Sequence, residues 1–269
     1  MDEGTEVTLE HWIYGASPEK GYGMKAESHR LNGPLYMRYL ASHFTPVRVE
    51  KTANGGTLID ARMIHPAPAN DEVLLSVLGR GTADEYNRPT IQNHTVVIPG
   101  AMLRDGRLTY FDVEAAVLEF DHRFPKAGGK VDPLVLQSRP PAEASQPVGN
   151  GIRRLITKAA VDTLASRFLS DQQGRTLVLC RGSTNHYRNE LLYRLMELLA
   201  AGGEISVFPA ISDAPTLSAM NHFRLAISSR GVRADATWTL LDASIDHAAL
   251  PPIRGKNPMY TRIGEAFAA

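Results

Sequence analysis

At 269 residues with 43% hydrophobic content, the chain is long enough for one large or two ordinary domains with well-filled cores. Equal counts of Lys+Arg and Asp+Glu, 29 each, remove the simplest electrostatic case for binding nucleic acid or an anionic membrane surface. A single cysteine, Cys180, excludes an intramolecular disulfide or a Cys-based zinc site and suits a reducing cytoplasm; no apolar leader pattern and no run of about 18 apolar residues is found, so neither export nor a membrane span is expected.

Val7 to Ala16 mixes β-branched and aromatic residues and predicts a strand that runs into a turn at Ser17-Pro-Glu-Lys20. The Gly21-Tyr22-Gly23 triplet lets the backbone bend or approach a partner closely, and Met24 to His29 reads as the returning strand. Asn32-Gly33-Pro34 opens a predicted helix over Leu35 to His43, and Asn54-Gly55-Gly56 marks a hairpin before a strand from Thr57 to Ile64. Glu72 to Gly79 and Thr95 to Gly100 are nearly continuous apolar runs and read as buried strands. Between them Arg80, Asp84, Glu85, Tyr86, Asn87, Arg88, Asn93 and His94 form a dense polar cluster, expected in a loop held at the rim of a rigid scaffold. Leu103 to Leu108 reads as a turn, and Tyr110 to Phe120 fits either a helix or a strand.

Composition shifts at Gln137 to Asn150, where Pro, Ser and Gly leave little that could enter a core; this predicts a Pro-rich linker or surface loop over 137–150. Beyond it, Ile152 to Phe168 has helical spacing, Arg175 to Cys180 reads as a short buried strand, and Ser183-Thr184-Asn185 can cap a helix ending at Gly202-Gly203. Ile205 to Ile211 and Ala236 to Leu241 read as strands, with a helix or strand around Ser218 to Ser228. The expected fold is therefore α/β (α+β): a β-rich unit over 1–140 followed by an alternating α/β unit with parallel pairing over 150–269.

The chemical motifs are short. Ser17-Pro-Glu-Lys20 has S-x-x-K spacing, but Pro18 favours a turn and no S-D-N or K-T-G partner follows. The segment after Cys180, Arg-Gly-Ser-Thr-Asn, lacks the G-x-x-x-x-G-K-[ST] needed to cradle phosphates, and Gly79-Arg-Gly81 is too short for a dinucleotide fingerprint. None of the nine His forms H-E-x-x-H, so no metal and no cofactor is expected. His94, at the start of an apolar run, fits a general base or a buried hydrogen-bonding residue, which His11, His65 or His186 could join only through folding. Cys180 ends an apolar strand and reads as a buried small hydrophobe.

Trp12-Ile-Tyr14 with Gly21-Tyr22-Gly23 through Ser28, then Gly81, Asp84, Arg88-Pro89 and Asn93-His94, and finally Gly203 to Pro215 followed by Phe223 to Ile227, occur in this order. In that order they resemble the N-terminal domain of the GTPase-associated proteins of bacterial conflict systems, although the Gly and Asp are spaced differently. The resemblance implies a cytoplasmic protein-interaction or adaptor module of antiviral defence, with another protein as partner, either a GTPase or another subunit of the defence complex, and with no nucleic acid or membrane. It implies binding through Tyr14, Gly21, Tyr22, Gly23, Arg80, Tyr86, Arg88, Asn93 and His94. A reading from the residues alone is a hydrolase or anionic-ligand-binding enzyme in which His94 is the base, Asp84 orients it and Arg88 holds the anion.

Overall fold

The apolar runs of both halves of the chain line up in one sheet. The computed structural model describes residues 4–17, 21–28, 36, 60–67, 71–80, 91–120, 128–140, 151–170, 174–200, 209–212, 223–229, 238–243 and 258–268. The first part supplies β1 (Glu6–Leu9), β2 (His11–Ser17), β3 (Gly21–Ser28), β4 (Ala61–Pro66), β5 (Glu72–Arg80), β6 (Ile91–Pro99), β7 (Gly129–Val131) and β8 (Leu134–Gln137), with helices α1 (Gly100–Arg104) and α2 (Tyr110–Glu119). The later part alternates α3 (Lys158–Ser170), β9 (Arg175–Leu179), α4 (Asn185–Ala200), β10 (Ala210–Ile211), β11 (Leu225–Ser228), β12 (Trp238–Asp242) and α5 (Pro258–Ala268). The molecule is thus mixed α/β with a β-rich first part. Among the described residues no helix is long and apolar enough to cross a membrane.

Ten strands share the large sheet in the order β12-β9-β11-β10-β4-β5-β6-β2-β3-β7, and β1 pairs with β8 in a separate ribbon. Strands β9, β10, β11 and β12 pair in parallel, whereas β4, β5, β6, β2 and β3 are antiparallel neighbours. The two senses meet where β10 runs antiparallel to β4, with Ala210 opposite Ile64. One continuous core also draws on both parts, from Val7, Leu75, Val96 and Val113 to Leu164, Leu195, Ile227 and Ile263. Burial explains the unbroken apolar run in β5: Val73 to Leu78 are all buried, because this strand lies well inside the sheet and is covered on both faces.

Local chemistry settles the ambiguous boundaries. Residues Tyr110 to Glu119 are helical, because Thr109 and Asp112 close a capping box: the Asp112 N–H donates to Thr109 Oγ1 at 3.3 Å and the Thr109 N–H to Asp112 Oδ2 at 2.8 Å. The helix predicted from Ile152 begins only at Lys158, since Ile152–Arg154 is a 3₁₀ turn and the Thr157 hydroxyl accepts from the Ala160 N–H at 3.2 Å. Thr184 caps α4 as expected, accepting from the Tyr187 N–H at 3.2 Å. Instead of forming a turn, Gly21 to Gly23 continue β3, paired with Ser17 to Gly15. The short helix α1 takes up Leu103 and Arg104, the first two residues of the turn predicted over Leu103 to Leu108. Predictions over 29–35, 37–59, 201–208 and 141–150 lie outside the described residues.

Gly4 shows how closely the ribbon is seated. A Cβ there would lie 2.1 Å from the backbone oxygen of Ser138, whose hydroxyl in turn donates to Thr5 O at 2.9 Å. Gly4→Ala is therefore expected to lower stability by about 1–3 kcal/mol, the range for overpacking, as read from the urea midpoint; a change of a few tenths would show that the ribbon end yields freely.

Candidate functional site

Of the polar stretch expected in a loop, Arg80, Asn93 and His94 belong to strands, and Asn93 and His94 take opposite faces of the sheet. β5 extends to Arg80 and β6 begins at Ile91, so Asn93 and His94 lie within a strand and are buried, at 1% and 2% exposure. The sequence placed them at a rim because polar residues in series read as loop; the tertiary structure covers both between β2 and β5, where His94 meets His11 of β2 and the Asn93 amide oxygen accepts from Thr95 of its own strand. Strand alternation then sends consecutive residues to opposite faces. His94 pairs with Ile13 of β2 and Val77 of β5, whereas Asn93 pairs with Tyr14 and Leu78.

On the face of His94 lies an internal histidine pair. His11 Nδ1 and His94 Nε2 are 2.8 Å apart, and His11 Nε2 is 2.8 Å from the carbonyl oxygen of Asp132. A carbonyl only accepts, so His11 carries its proton on Nε2, its Nδ1 accepts, and His94 Nε2–H is the donor. Phe120, just beyond α2, packs edge-on against both rings at 5.0 and 5.2 Å. Burial holds His11 below the usual imidazole range, opposed by the Asp132 carbonyl and by nearby Glu10. Glu10 is itself engaged, accepting from the Ser28 hydroxyl at 2.5 Å, and that hydroxyl also accepts from the His11 N–H at 2.8 Å. The arrangement favours a neutral His11 ring and ties β2, β6 and the β7–β8 connection together.

On the opposite face, Trp12, Tyr14, Asn93, Thr95 and Ser76 stand in adjacent rows, with Trp12 opposite Thr95 and Thr95 opposite Ser76. The Tyr36 ring lies tilted at 33° to the indole of Trp12, 5.3 Å away, and its hydroxyl donates to Glu72 Oε2 at 3.0 Å. No sequence signal marked Ser76 or Thr95, because a hydroxyl inside an apolar run carries no pattern of its own, and Trp12 entered only through the resemblance.

At the end of the sheet where β2 turns into β3, several predicted residues do converge. Gly15 pairs with both Gly23 and Gln92, and Gln92 with Gly79, so Gly21 to Gly23, Tyr14 and the flanks of the 81–90 segment border one another. A Cβ at Gly23 or at Gly79 would meet nothing within 4 Å. Arg80 ends β5 opposite Ile91, while Asp84, Tyr86 and Arg88 lie outside the described residues.

The other histidines stay apart. His65 is buried on β4 with its ring 5.1 Å from Phe223, and its partner Leu74 places it on the face away from His94. His186 is exposed on the first turn of α4. Among the described residues no group of three or more His, Cys, Asp or Glu side chains could hold a metal ion. Burial pushes the Cys180 thiol up to about 12, which suits a core hydrophobe and not a thiolate nucleophile. Compared with family models, with curated proteins and with solved structures, the chain shows no match.

Proposed function

We propose that the chain is a protein-interaction module of a GTPase-linked bacterial defence system, working as an adaptor or effector-control subunit in the cytoplasm. The observation that supports this reading is the gathering of Tyr14, Gly21 to Gly23 and the flanks of the 81–90 segment at one end of the sheet, where residues distant in sequence form one neighbourhood. A hydrolase using His94 as its base receives less support, because the imidazole is 2% exposed and its Nε2 already faces His11.

The test is capture of a tagged chain from its native host, with identification of what co-purifies. A GTPase or another subunit of a defence complex is the expected partner. Arg88→Lys keeps the charge but loses the planar fork, so it is expected to weaken that association by about 1–3 kcal/mol with little change in melting temperature. His94→Gln keeps a donor toward His11 and is expected to retain most of the binding. Equal recovery with Arg88→Lys would count against the adaptor surface, and a hydrolytic activity that falls about 10²–10⁴-fold in His94→Gln would instead establish the enzyme.

A further inference from the structure

We infer a binding site on the face of the sheet opposite the histidine pair, built to take an uncharged planar molecule through its carbonyl oxygens. This inference does not rest on the adaptor reading. It starts from the hydrogen-bond direction along Ser76, Thr95 and Asn93. The Thr95 hydroxyl donates to Asn93 Oδ1 at 3.2 Å, so the contact of 2.8 Å between Ser76 Oγ and Thr95 Oγ1 has Ser76 as its donor. The chain fixes the amide oxygen toward Thr95 and leaves the amide NH₂ pointing away from it.

That NH₂ has no partner although Asn93 is 1% exposed, and the Nε1–H of Trp12, at 0% exposure, has none either. Pairing register puts both on one face, with Trp12 opposite Thr95 and Tyr14 opposite Asn93, so the indole and the amide are diagonal neighbours. Buried donors without partners are rare in folded proteins, and an unseen water or ligand is the usual reason for them. Two such donors on neighbouring residues of one face suit a molecule with more than one carbonyl oxygen or ring nitrogen.

The surroundings narrow the class. Both donors are neutral, so they offer a carboxylate or phosphate no counter-charge of their own, whereas a carbonyl oxygen matches them. Two acidic residues described on this side are already engaged: Glu27, opposite Trp12, with Lys130 at 2.5 Å, and Glu72 with Tyr36. The ring of Tyr36 flanks the indole, and half-buried Tyr14 and Met24 pack at the margin of the same cluster. Aromatic faces and a thioether suit a flat ring that carries carbonyl groups.

The chain has two tryptophans, so Trp238→Phe leaves Trp12 as the sole indole reporter. Titration of that variant with uracil, hypoxanthine and nicotinamide is expected to give saturable quenching by at least one of them. Adding Asn93→Leu should weaken that probe about tenfold or more, the effect of losing one neutral hydrogen bond. Without any probe, Ser76→Ala/Asn93→Leu/Thr95→Val should melt at or above the parent temperature, because it removes unsatisfied groups together with their partners. The proposal is overturned if none of the three probes quenches saturably, or if Asn93→Leu leaves the affinity unchanged. A clear fall in the melting temperature of the triple variant would also overturn it, since a fixed water would then already satisfy the amide.

Discussion

Arg62→Leu is expected to lower the unfolding free energy by about 3–5 kcal/mol, the scale for leaving one member of a buried ion pair without its partner. The Arg62 side chain is 5% exposed on β4, where the antiparallel and parallel parts of the sheet meet. Its Nε donates to Glu114 Oε1 of α2 at 2.5 Å, and its Nη1 to Asp60 Oδ1 at 2.5 Å and to the Ala61 carbonyl at 3.1 Å. The backbone completes the junction, with the Arg62 N–H donating to Ser212 Oγ and the Ser212 N–H to Arg62 O, both at 2.9 Å. Removing the guanidinium strands the Glu114 carboxylate, only 15% exposed, against the core, whereas Asp60 at 38% can turn to water. Arg62→Leu/Glu114→Leu should therefore recover most of the loss. A shift of the urea midpoint at constant slope measures both variants; less than about 1 kcal/mol for the single change would show that the pair is well solvated.

The second large effect is a dependence on pH carried by Glu197 of α4. Burial raises its carboxyl from 4.5 to about 7, although Arg194, 3.1 Å away, and Arg139 pull it down. A carboxyl raised on folding holds its proton longer in the native state than in the unfolded one. Its contribution is thus fully present below the unfolded value of 4.5 and is lost as pH rises through about 7. At 1.36 kcal/mol per decade of acidity the loss amounts to about 3 kcal/mol. Glu197→Gln, which still accepts from Arg194, is expected to remove it and so to be the more stable protein at pH 8, with the difference gone near pH 4. His11 acts in the opposite sense: its lowered pKa means that stability is present above the free imidazole value of 6.5 and falls on acidification. The parent therefore has a shallow profile between pH 4.5 and 6.5, and Glu197→Gln should expose the histidine slope. Denaturation midpoints measured from pH 4 to 8 decide this; parallel curves for parent and variant would show that Glu197 is ionised throughout.

Taken by itself, the sequence determined the elements whose cause is local. The apolar runs of β5, β6 and β9, the alternation of helix and strand after residue 150, and the cap at Thr184 follow from periodicity and side-chain chemistry within a few residues, and each was legible. The α/β class follows from the same signals. That Asn93 and His94 belong to a buried strand was decided only by the tertiary structure. Whether Asn93 and His94 face water or a neighbouring strand depends on β2, where His11 lies 83 positions from His94 and Tyr14 stands opposite Asn93, and no local pattern encodes those partners. Pairing with β5 carried β6 back to Ile91, pairing with β5 and β2 buried both residues, and the two-residue period of a strand sent one to each face. The joining of both halves across β4 and β10 was equally invisible, because a register between distant strands is chosen by what it buries on either side, and Arg62 in a run of apolar residues carries no sign of the Glu114 that meets it.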